Sequence, residues 1–159
     1  MRGKAFKFGD NISTDHIAPG RLFHLRSNLP EFAKHVLEDA DPEFASKMKK
    51  GDFVVAGSNF GLGSSREHAP QIIKIAGVGA VIAKSFARIF YRNAINIGLP
   101  VIVSDIEAND GDILSIDLSK GELINETTGE SKTFEPFKEF MLEILEDGGL
   151  VNHYLNDKE

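Results

Sequence analysis

The chain has 159 residues, enough for one domain with a substantial hydrophobic core. Its formal net charge of −6 argues against a general binder of nucleic acid or of anionic membranes. It contains no cysteine, so it forms no disulfide and holds no thiolate-ligated zinc or iron–sulfur cluster by itself. The N-terminal residues lack the apolar run of a secretory signal, and no stretch approaches the roughly 18 apolar residues of a membrane-spanning helix. We therefore expect a single domain over residues 1–159, located in the cytoplasm, with no nucleic-acid or membrane partner.

The first third of the chain predicts a short strand, a polar loop and two helices. Residues 5–8 alternate apolar and polar side chains, which indicates a strand. Residues 9–20 are rich in turn formers and in side chains able to do chemistry. Apolar residues at helical spacing predict a helix over 30–40, and Pro42 suits the first turn of a second helix that ends near Met48.

The middle of the chain alternates strands and helices. The apolar runs that predict strands are 53–56, 80–83 and 101–103. The predicted helices, each followed by a glycine, cover 68–76 and 86–97. Because a β-α-β-α-β run requires crossover helices, it predicts an α/β fold with a mainly parallel core sheet and flanking helices.

The C-terminal third has a different pattern. Residues 112–118 and 122–125 alternate well enough for a β-hairpin or a meander, with a turn at Lys120 and Gly121. Residues 136–145 form an amphipathic helical pattern, and a short helix is expected over 150–155. We expect a C-terminal β-hairpin plus helix to complete the fold.

The motif most able to do chemistry is Gly57-Ser-Asn-Phe-Gly-Leu-Gly-Ser-Ser-Arg-Glu-His68, between a predicted strand and a predicted helix. Glycines let the backbone approach a ligand, and such junctions direct backbone N–H groups and a helix dipole at an anion. The addition of Ser64, Ser65 and Arg66 predicts a site for a carboxylate or phosphate. The spacing matches neither a P-loop nor a dinucleotide-binding fingerprint.

Two interpretations of Ser64 stay open. Ser64 and Glu67 have the spacing of a capping box, which would make the serine a structural helix cap. In that register Pro70 would be the sixth helical residue, where it lacks a needed N–H group. A later helix start, or an irregular first turn, would leave Ser64 and Ser65 free for a ligand.

Three segments resemble the swivelling domain of the aconitase superfamily. They are Asp10-Asn-Ile-Ser-Thr-Asp-His-Ile17, Asn59-Phe-Gly-Leu-Gly-Ser-Ser-Arg-Glu-His-Ala69 and Phe86-Ala-Arg-Ile-Phe-Tyr-Arg-Asn-Ala-Ile-Asn-Ile-Gly98. They occur in the family's order and span most of the first two-thirds of the chain. At this length the chain resembles the separate small subunits of 3-isopropylmalate dehydratases and of related homoaconitases. The resemblance implies the swivelling-domain β/β/α architecture.

The resemblance also implies a reaction. Enzymes of this kind are hydro-lyases that interconvert 2-isopropylmalate and 3-isopropylmalate by dehydration and rehydration, in leucine biosynthesis. A partner large subunit is expected to carry a [4Fe-4S] cluster that binds the hydroxyl of a small hydroxy-di- or tricarboxylate. By motif position, Ser64 is the expected base, and Ser65 and Arg66 are the expected binders of a substrate carboxylate. Since serine is a poor base in water, its alkoxide has to be stabilised by nearby N–H groups and by an arginine.

Asp15, His16 and Arg26 are further candidates. Asp15 and His16 are either a proton-handling pair or part of a turn fixed by side-chain hydrogen bonds. Arg26 is either a surface arginine or, by resemblance to an aconitase loop, a clamp for a substrate carboxylate. Many isopropylmalate-type small subunits look apolar or neutral there, so Arg26 leaves homoaconitate, citrate or a methyl-substituted malate open as substrate. His68 either contacts the site or packs against a helix.

A non-catalytic anion-binding or regulatory module is the alternative from a different functional class. The intact Ser64-Ser65-Arg66 run argues against it, because a module that only kept the fold would not need these three side chains together.

Overall fold

The computed structural model describes residues 1–157, so the last two residues of the domain predicted over 1–159 lie outside the described part. Within residues 1–157, seven strands form one sheet in the order β4-β3-β2-β1-β5-β6-β7. They are β1 (Arg2–Lys7), β2 (Phe53–Ala56), β3 (Ala80–Ala83), β4 (Val101–Val103), β5 (Ile113–Asp117), β6 (Glu122–Asn125) and β7 (Ser131–Thr133). The α/β prediction is confirmed.

Strands β1 to β4 are mutually parallel and form what we call the parallel half of the sheet. Their register places Phe53 of β2 beside Ala5 of β1 and Ala80 of β3. Every residue of β2 and β3 is buried. Continuous apolar strands of this kind are expected where helices cover both faces of a parallel sheet, and the predicted bounds of β2, β3 and β4 are confirmed.

Strands β5 to β7 form the antiparallel half of the same sheet, joined through β5 to β1. Strands β5 and β6 are the predicted hairpin, with alternating burial along both. Strand β7 extends it to a meander. Residues Ser131 to Thr133 carry no apolar alternation, which is why the sequence pattern did not predict a strand there.

Seven α-helices and one 3-10 segment surround the sheet within the described residues. The helices are α1 (Thr14–Ile17), α2 (Leu29–Ala33), α3 (Phe44–Lys47), α4 (His68–Ala76), α5 (Arg88–Asn96), α6 (Glu139–Glu146) and α7 (Leu150–Asp157), and the 3-10 segment is Gly20–Ser27. Helix α4 has the predicted bounds. Helix α5 begins later than predicted because Ala87 is extended, with ψ 136°.

The helix predicted over 30–40 is wrong beyond Ala33. Residues 34–40 are turns, and Leu37 adopts a positive φ of 57°, which a helix does not allow. Leu37 is fully buried, and its N–H donates to the carbonyl of Ile17 at 2.9 Å. A tertiary contact with α1 therefore overrides the helical spacing of the sequence.

Candidate active site

Two loops leave the carboxyl ends of neighbouring parallel strands and run side by side. We call residues 10–17 the entry loop, which follows β1, and residues 57–67 the glycine loop, which follows β2. Backbone hydrogen bonds tie the two chain segments together: Gly57 N to Gly9 O (3.1 Å), Asn11 N to Ser58 O (2.8 Å), Gly61 N to Ile12 O (2.7 Å) and Thr14 N to Leu62 O (2.9 Å). The fold thus brings two of the three resembling segments into direct contact.

The third segment supports the glycine loop from below. Phe60 is fully buried, and its ring contacts those of Phe86 and Phe90 with centroids 5.9 and 5.3 Å apart. Gly61 has a φ of 83°, and a Cβ atom added there would lie 2.5 Å from Phe90 Cβ. Only glycine allows the loop to turn this close to α5.

The end of the glycine loop lines a cavity of about 220 Å³ against the start of α5. Its lining residues are Thr14, Gly61, Gly63, Ser64, Ser65, Arg66, Ala87, Arg88, Ile89, Phe90 and Asn93. Ser64 and Ser65 are exposed, and their hydroxyls have no hydrogen-bond partner among residues 1–157. The backbone N–H groups of Gly63, Ser64 and Ser65 likewise have no acceptor in the described structure. Residues that line one small cavity and carry unpaired donors are suited to bind an anion.

The capping-box interpretation of Ser64 is wrong. Helix α4 begins at His68, with Glu67 as its N-cap residue and no side-chain cap. The carbonyl of Ser64 accepts the N–H of Arg66 at 2.8 Å, which forms a separate turn. Pro70 is then the third helical residue, where an N–H group has no partner inside the helix anyway. The later helix start is what leaves both serines free.

Arg66 is fixed in place beside the two serines. Its Nη1 lies 2.6 Å from Asp15 Oδ1 and donates to the carbonyl of Ala18 at 3.2 Å. The Arg66 side chain is 22% exposed, whereas that of Asp15 is 63% exposed. The partner carboxylate is therefore largely in solvent and exchangeable, and the other guanidinium N–H groups remain for a ligand.

His16 takes part in the N-cap of α1. Its ring Nδ1 accepts the backbone N–H of Ser13 at 2.9 Å, and the backbone N–H of His16 donates to Ser13 Oγ at 3.2 Å. A ring whose Nδ1 accepts a backbone N–H carries its proton on Nε2 when neutral. Within the described residues, Asp15 forms its ion pair with Arg66 and makes no hydrogen bond with His16.

Arg26 and Arg66 both lie close to the aromatic ring of Phe23. Arg26 lies in the 3-10 segment, and its Nη1 donates to the carbonyl of Phe23 at 3.2 Å. The guanidinium carbon of Arg26 lies 4.6 Å from the centroid of the Phe23 ring, and that of Arg66 lies 5.3 Å from it. The sequence pattern did not indicate Phe23 as a site residue, because an aromatic residue in an irregular loop has no distinctive spacing.

His68 also contacts Phe23. The two rings meet edge to face with centroids 5.9 Å apart, while His68 Nδ1 is buried and has no hydrogen-bond partner among the described residues. His68 therefore packs against Phe23, the residue whose ring lies near the guanidinium groups of both Arg26 and Arg66.

A larger cavity of about 730 Å³ lies at the junction of the parallel and antiparallel halves and includes none of the predicted site residues. Several of its carboxylates already accept backbone N–H groups: Asp10 from Ser58, Asp112 from Asn109 and Glu130 from Glu107. Carboxylates bonded in this way support loops, and they repel a carboxylate ligand. The smaller cavity is the better candidate site for an anionic substrate.

Over residues 1–157, no group of three or more His, Cys, Asp or Glu side chains is placed to hold a metal ion. In the same part of the chain, no helix has the length and apolar character needed to cross a membrane. Since the whole sequence lacks cysteine, its residues do not fit an iron–sulfur cluster.

Comparison with known proteins gives the family. The profile of the Aconitase C-terminal domain matches residues 11–105, which include the entry loop from Asn11 onward and the whole glycine loop. A 3-isopropylmalate dehydratase small subunit of Thermotoga maritima is 66% identical over 155 residues, covering 96% of this chain and 93% of the relative. One from Archaeoglobus fulgidus is 64% identical over 154 residues, with the same two coverages.

Two further relatives extend the comparison. A methanogen homoaconitase small subunit of Methanothermobacter thermautotrophicus is 61% identical over 155 residues, covering 98% of this chain and 91% of the relative. A crystal structure of 3-isopropylmalate dehydratase from Methanocaldococcus jannaschii superposes with a TM-score of 0.91 at 49% identity, covering 99% of this chain and 94% of the other. The chain belongs to the aconitase superfamily, in the family of 3-isopropylmalate dehydratase small subunits.

Proposed function

We propose that this protein is the small subunit of a 3-isopropylmalate dehydratase and works with a large subunit that carries a [4Fe-4S] cluster. The observation that carries the proposal is the cavity at the end of the glycine loop, where the free hydroxyls of Ser64 and Ser65 lie beside the fixed Arg66. The names of the relatives supply the substrate class and the need for a second subunit. We place the enzyme in the cytoplasm, as one domain over 1–159, and in leucine biosynthesis.

Dehydration of a hydroxy-acid removes a hydroxyl from one carbon and a proton from its neighbour. The cluster on the large subunit would supply a Lewis acid for the hydroxyl. On this chain, Ser64 Oγ takes the proton from the carbon next to a carboxylate; because Ser64 is exposed, its hydroxyl proton exchanges with water before the same group delivers a proton on rehydration. The unpaired N–H groups of Gly63 and Ser65 lie next to Ser64 in the chain and favour its anionic form.

Arg66 and Ser65 bind the carboxylate next to the reacting carbon. A planar guanidinium pairs a carboxylate through two parallel hydrogen bonds, which fixes orientation as well as charge. Asp15 holds the guanidinium in the free subunit, and the substrate carboxylate takes the donors that Asp15 and Ala18 leave unused. His16 fixes the start of α1, and with it the position of Asp15.

Arg26 favours a second candidate, a homoaconitase. An arginine beside the site suits a substrate with a third carboxylate, whereas 3-isopropylmalate presents an isopropyl group in its place. One relative at 61% identity is named a homoaconitase small subunit. The two candidates share the chemistry at Ser64 and differ in the substrate group that faces the 3-10 segment.

The test is to reconstitute the chain anaerobically with its large subunit and assay 3-isopropylmalate, homoaconitate, citrate and 2-methylmalate. We expect dehydratase activity that is highest on 3-isopropylmalate and absent with either subunit alone. Higher activity on homoaconitate would favour the second candidate. Inactivity on every one of these acids would overturn the enzyme proposal and favour a non-catalytic module.

A further inference from the structure

We propose that Phe23 is a positioning residue that holds Arg26 and Arg66 against one aromatic ring, as two arms of a clamp: Arg66 binds the carboxylate next to the reacting carbon, and Arg26 binds the further carboxylate of a tricarboxylate substrate. The inference rests on the proposed function, in that it assigns both arginines to substrate binding. Phe23 itself touches the arginines and is not expected to touch the reacting atoms.

The contacts around the ring are specific. Both guanidinium carbons lie within 5.3 Å of the Phe23 centroid, and the Phe23 carbonyl also accepts a hydrogen bond from Arg26. Phe23 is 38% exposed, which is high for a phenylalanine in a chain whose other site aromatics, Phe60 and Phe90, are buried. A partly exposed aromatic ring with two guanidinium groups near it is better explained by those arginines than by core packing.

The ring counteracts a physical difficulty of the site. Two guanidinium groups brought close together repel one another, and long arginine side chains lose much rotamer freedom when they are held. The negative face of an aromatic ring attracts each cation, and a guanidinium packed on a ring keeps its N–H edge free for a carboxylate. Phe23 therefore preorganises both arms before substrate arrives.

His68 connects the ring to the glycine loop. It is the first residue of α4, two positions after Arg66, and its ring meets Phe23 at 90°. The 3-10 segment is thus held against the same helix start that positions Arg66. Movement of Phe23 would therefore change the distance between the Arg26 guanidinium and the hydroxyls of Ser64 and Ser65.

The first measurement uses the free small subunit and needs no activity. The Nε–H resonances of Arg26 and Arg66 are assigned by NMR in wild type, in Phe23→Leu and in Phe23→Tyr. We expect ring-current shifts for both arginines in wild type and in Phe23→Tyr, and their loss in Phe23→Leu. Resonances that are the same in all three proteins would overturn the inference.

The second measurement uses the reconstituted enzyme. With homoaconitate or citrate as substrate, Phe23→Leu should raise KM about 3- to 10-fold and leave kcat within about 2-fold, because two modest cation–π contacts are lost while Ser64 is untouched. Phe23→Tyr, which keeps the ring, should have the same KM as wild type. In an Arg26→Ala background, the effect of Phe23→Leu on KM should be smaller, since one of the two contacts is already gone.

The two measurements separate the possible failures. An inactive wild-type complex would refute the proposed function, while the NMR comparison would still decide whether the ring holds the arginines. An active complex in which Phe23→Leu leaves KM unchanged, or lowers kcat alone, would refute the role of Phe23. Failure of Phe23→Tyr to restore KM would also refute it.

Discussion

The two halves of the sheet differ in whether their polar side chains have hydrogen-bond partners within the chain. In the antiparallel half, Asn125 is fully buried, and its Nδ2 donates to Asp112 Oδ2 at 2.9 Å and to the carbonyl of Glu107 at 3.1 Å. Its Oδ1 accepts the backbone N–H of Thr127 at 3.0 Å. The loops at the carboxyl edge of the parallel half instead leave the Ser64 and Ser65 hydroxyls without partners among residues 1–157.

The difference separates structure from function. A buried polar network whose donors and acceptors are all bonded fixes a local conformation and has nothing left for a ligand. Donors at the rim of a cavity that have no protein partner do not lower the stability of the fold while water reaches them. They become binding groups when substrate displaces that water. Changes in the parallel-half loops should therefore alter catalysis, and changes in the antiparallel half should alter stability alone.

The largest expected effect is at Ser64. In the reconstituted enzyme, Ser64→Ala should lower kcat about 10²- to 10⁴-fold with a much smaller change in KM, because a proton acceptor used in the transition state is removed. Ser65→Ala is the matched control, and should mainly raise KM. Equal losses of kcat in the two variants would mean that the two neighbouring hydroxyls do not have distinct roles.

The next effect tests whether the glycine loop depends on its close approach to α5. Gly61→Ala should destabilise the chain by about 2–4 kcal/mol, since it adds a strained positive φ and a clash with Phe90. Urea unfolding of the free subunit measures it. Gly9→Ala, where no atom of the described residues lies within 4 Å of an added Cβ, should be close to neutral, and similar losses in both variants would contradict the packing explanation.

A smaller effect separates the substrates. Arg26→Ala should raise KM about 10-fold for homoaconitate and citrate and change it little for 3-isopropylmalate, because only the first two present a further carboxylate. Arg21 lies in the same segment but pairs with Glu38 and Asp39, so Arg21→Ala is the matched control. Equal losses on all substrates would remove Arg26 as a specificity residue.

The smallest effect belongs to the antiparallel half and appears as a pH dependence. The backbone N–H of Asn109, and then the Asn125 side chain, lower the pKa of Asp112. A lowered folded-state pKa gives stability that is present above the ordinary aspartate pKa and is lost as pH falls through the folded value.

The stability difference between wild type and Asp112→Asn should therefore shrink below about pH 4. Urea unfolding between pH 7 and pH 2.5 measures it. A difference for Asp112→Asn that is constant over this range would contradict the proposed hydrogen-bonded carboxylate.

Much of the parallel half could be predicted from the sequence. Strands β2, β3 and β4 and helix α4 have the expected bounds, because each is a strongly apolar or periodic run with a glycine or proline directly before or after it. The end of α2 could not be predicted, since the buried position of Leu37 depends on a contact with Ile17 that the local spacing does not show.

The candidate site divides in the same way. The glycine motif indicates where Ser64, Ser65 and Arg66 lie, and Pro70 already argues for the later helix start that frees the serines. The contact of Arg26 and Arg66 through Phe23 depends on how the 3-10 segment folds back over α4, and no periodicity in residues 20–27 encodes it.

The central claim is that Ser64 is the base, and hydrogen exchange tests it most directly. The reconstituted enzyme is incubated with substrate in D₂O, and NMR follows deuterium entering the carbon next to the carboxylate. Wild type should exchange that hydrogen during turnover, and Ser64→Ala, still bound to the large subunit, should exchange it at least about 100-fold more slowly. Exchange at the wild-type rate in Ser64→Ala would contradict the assignment.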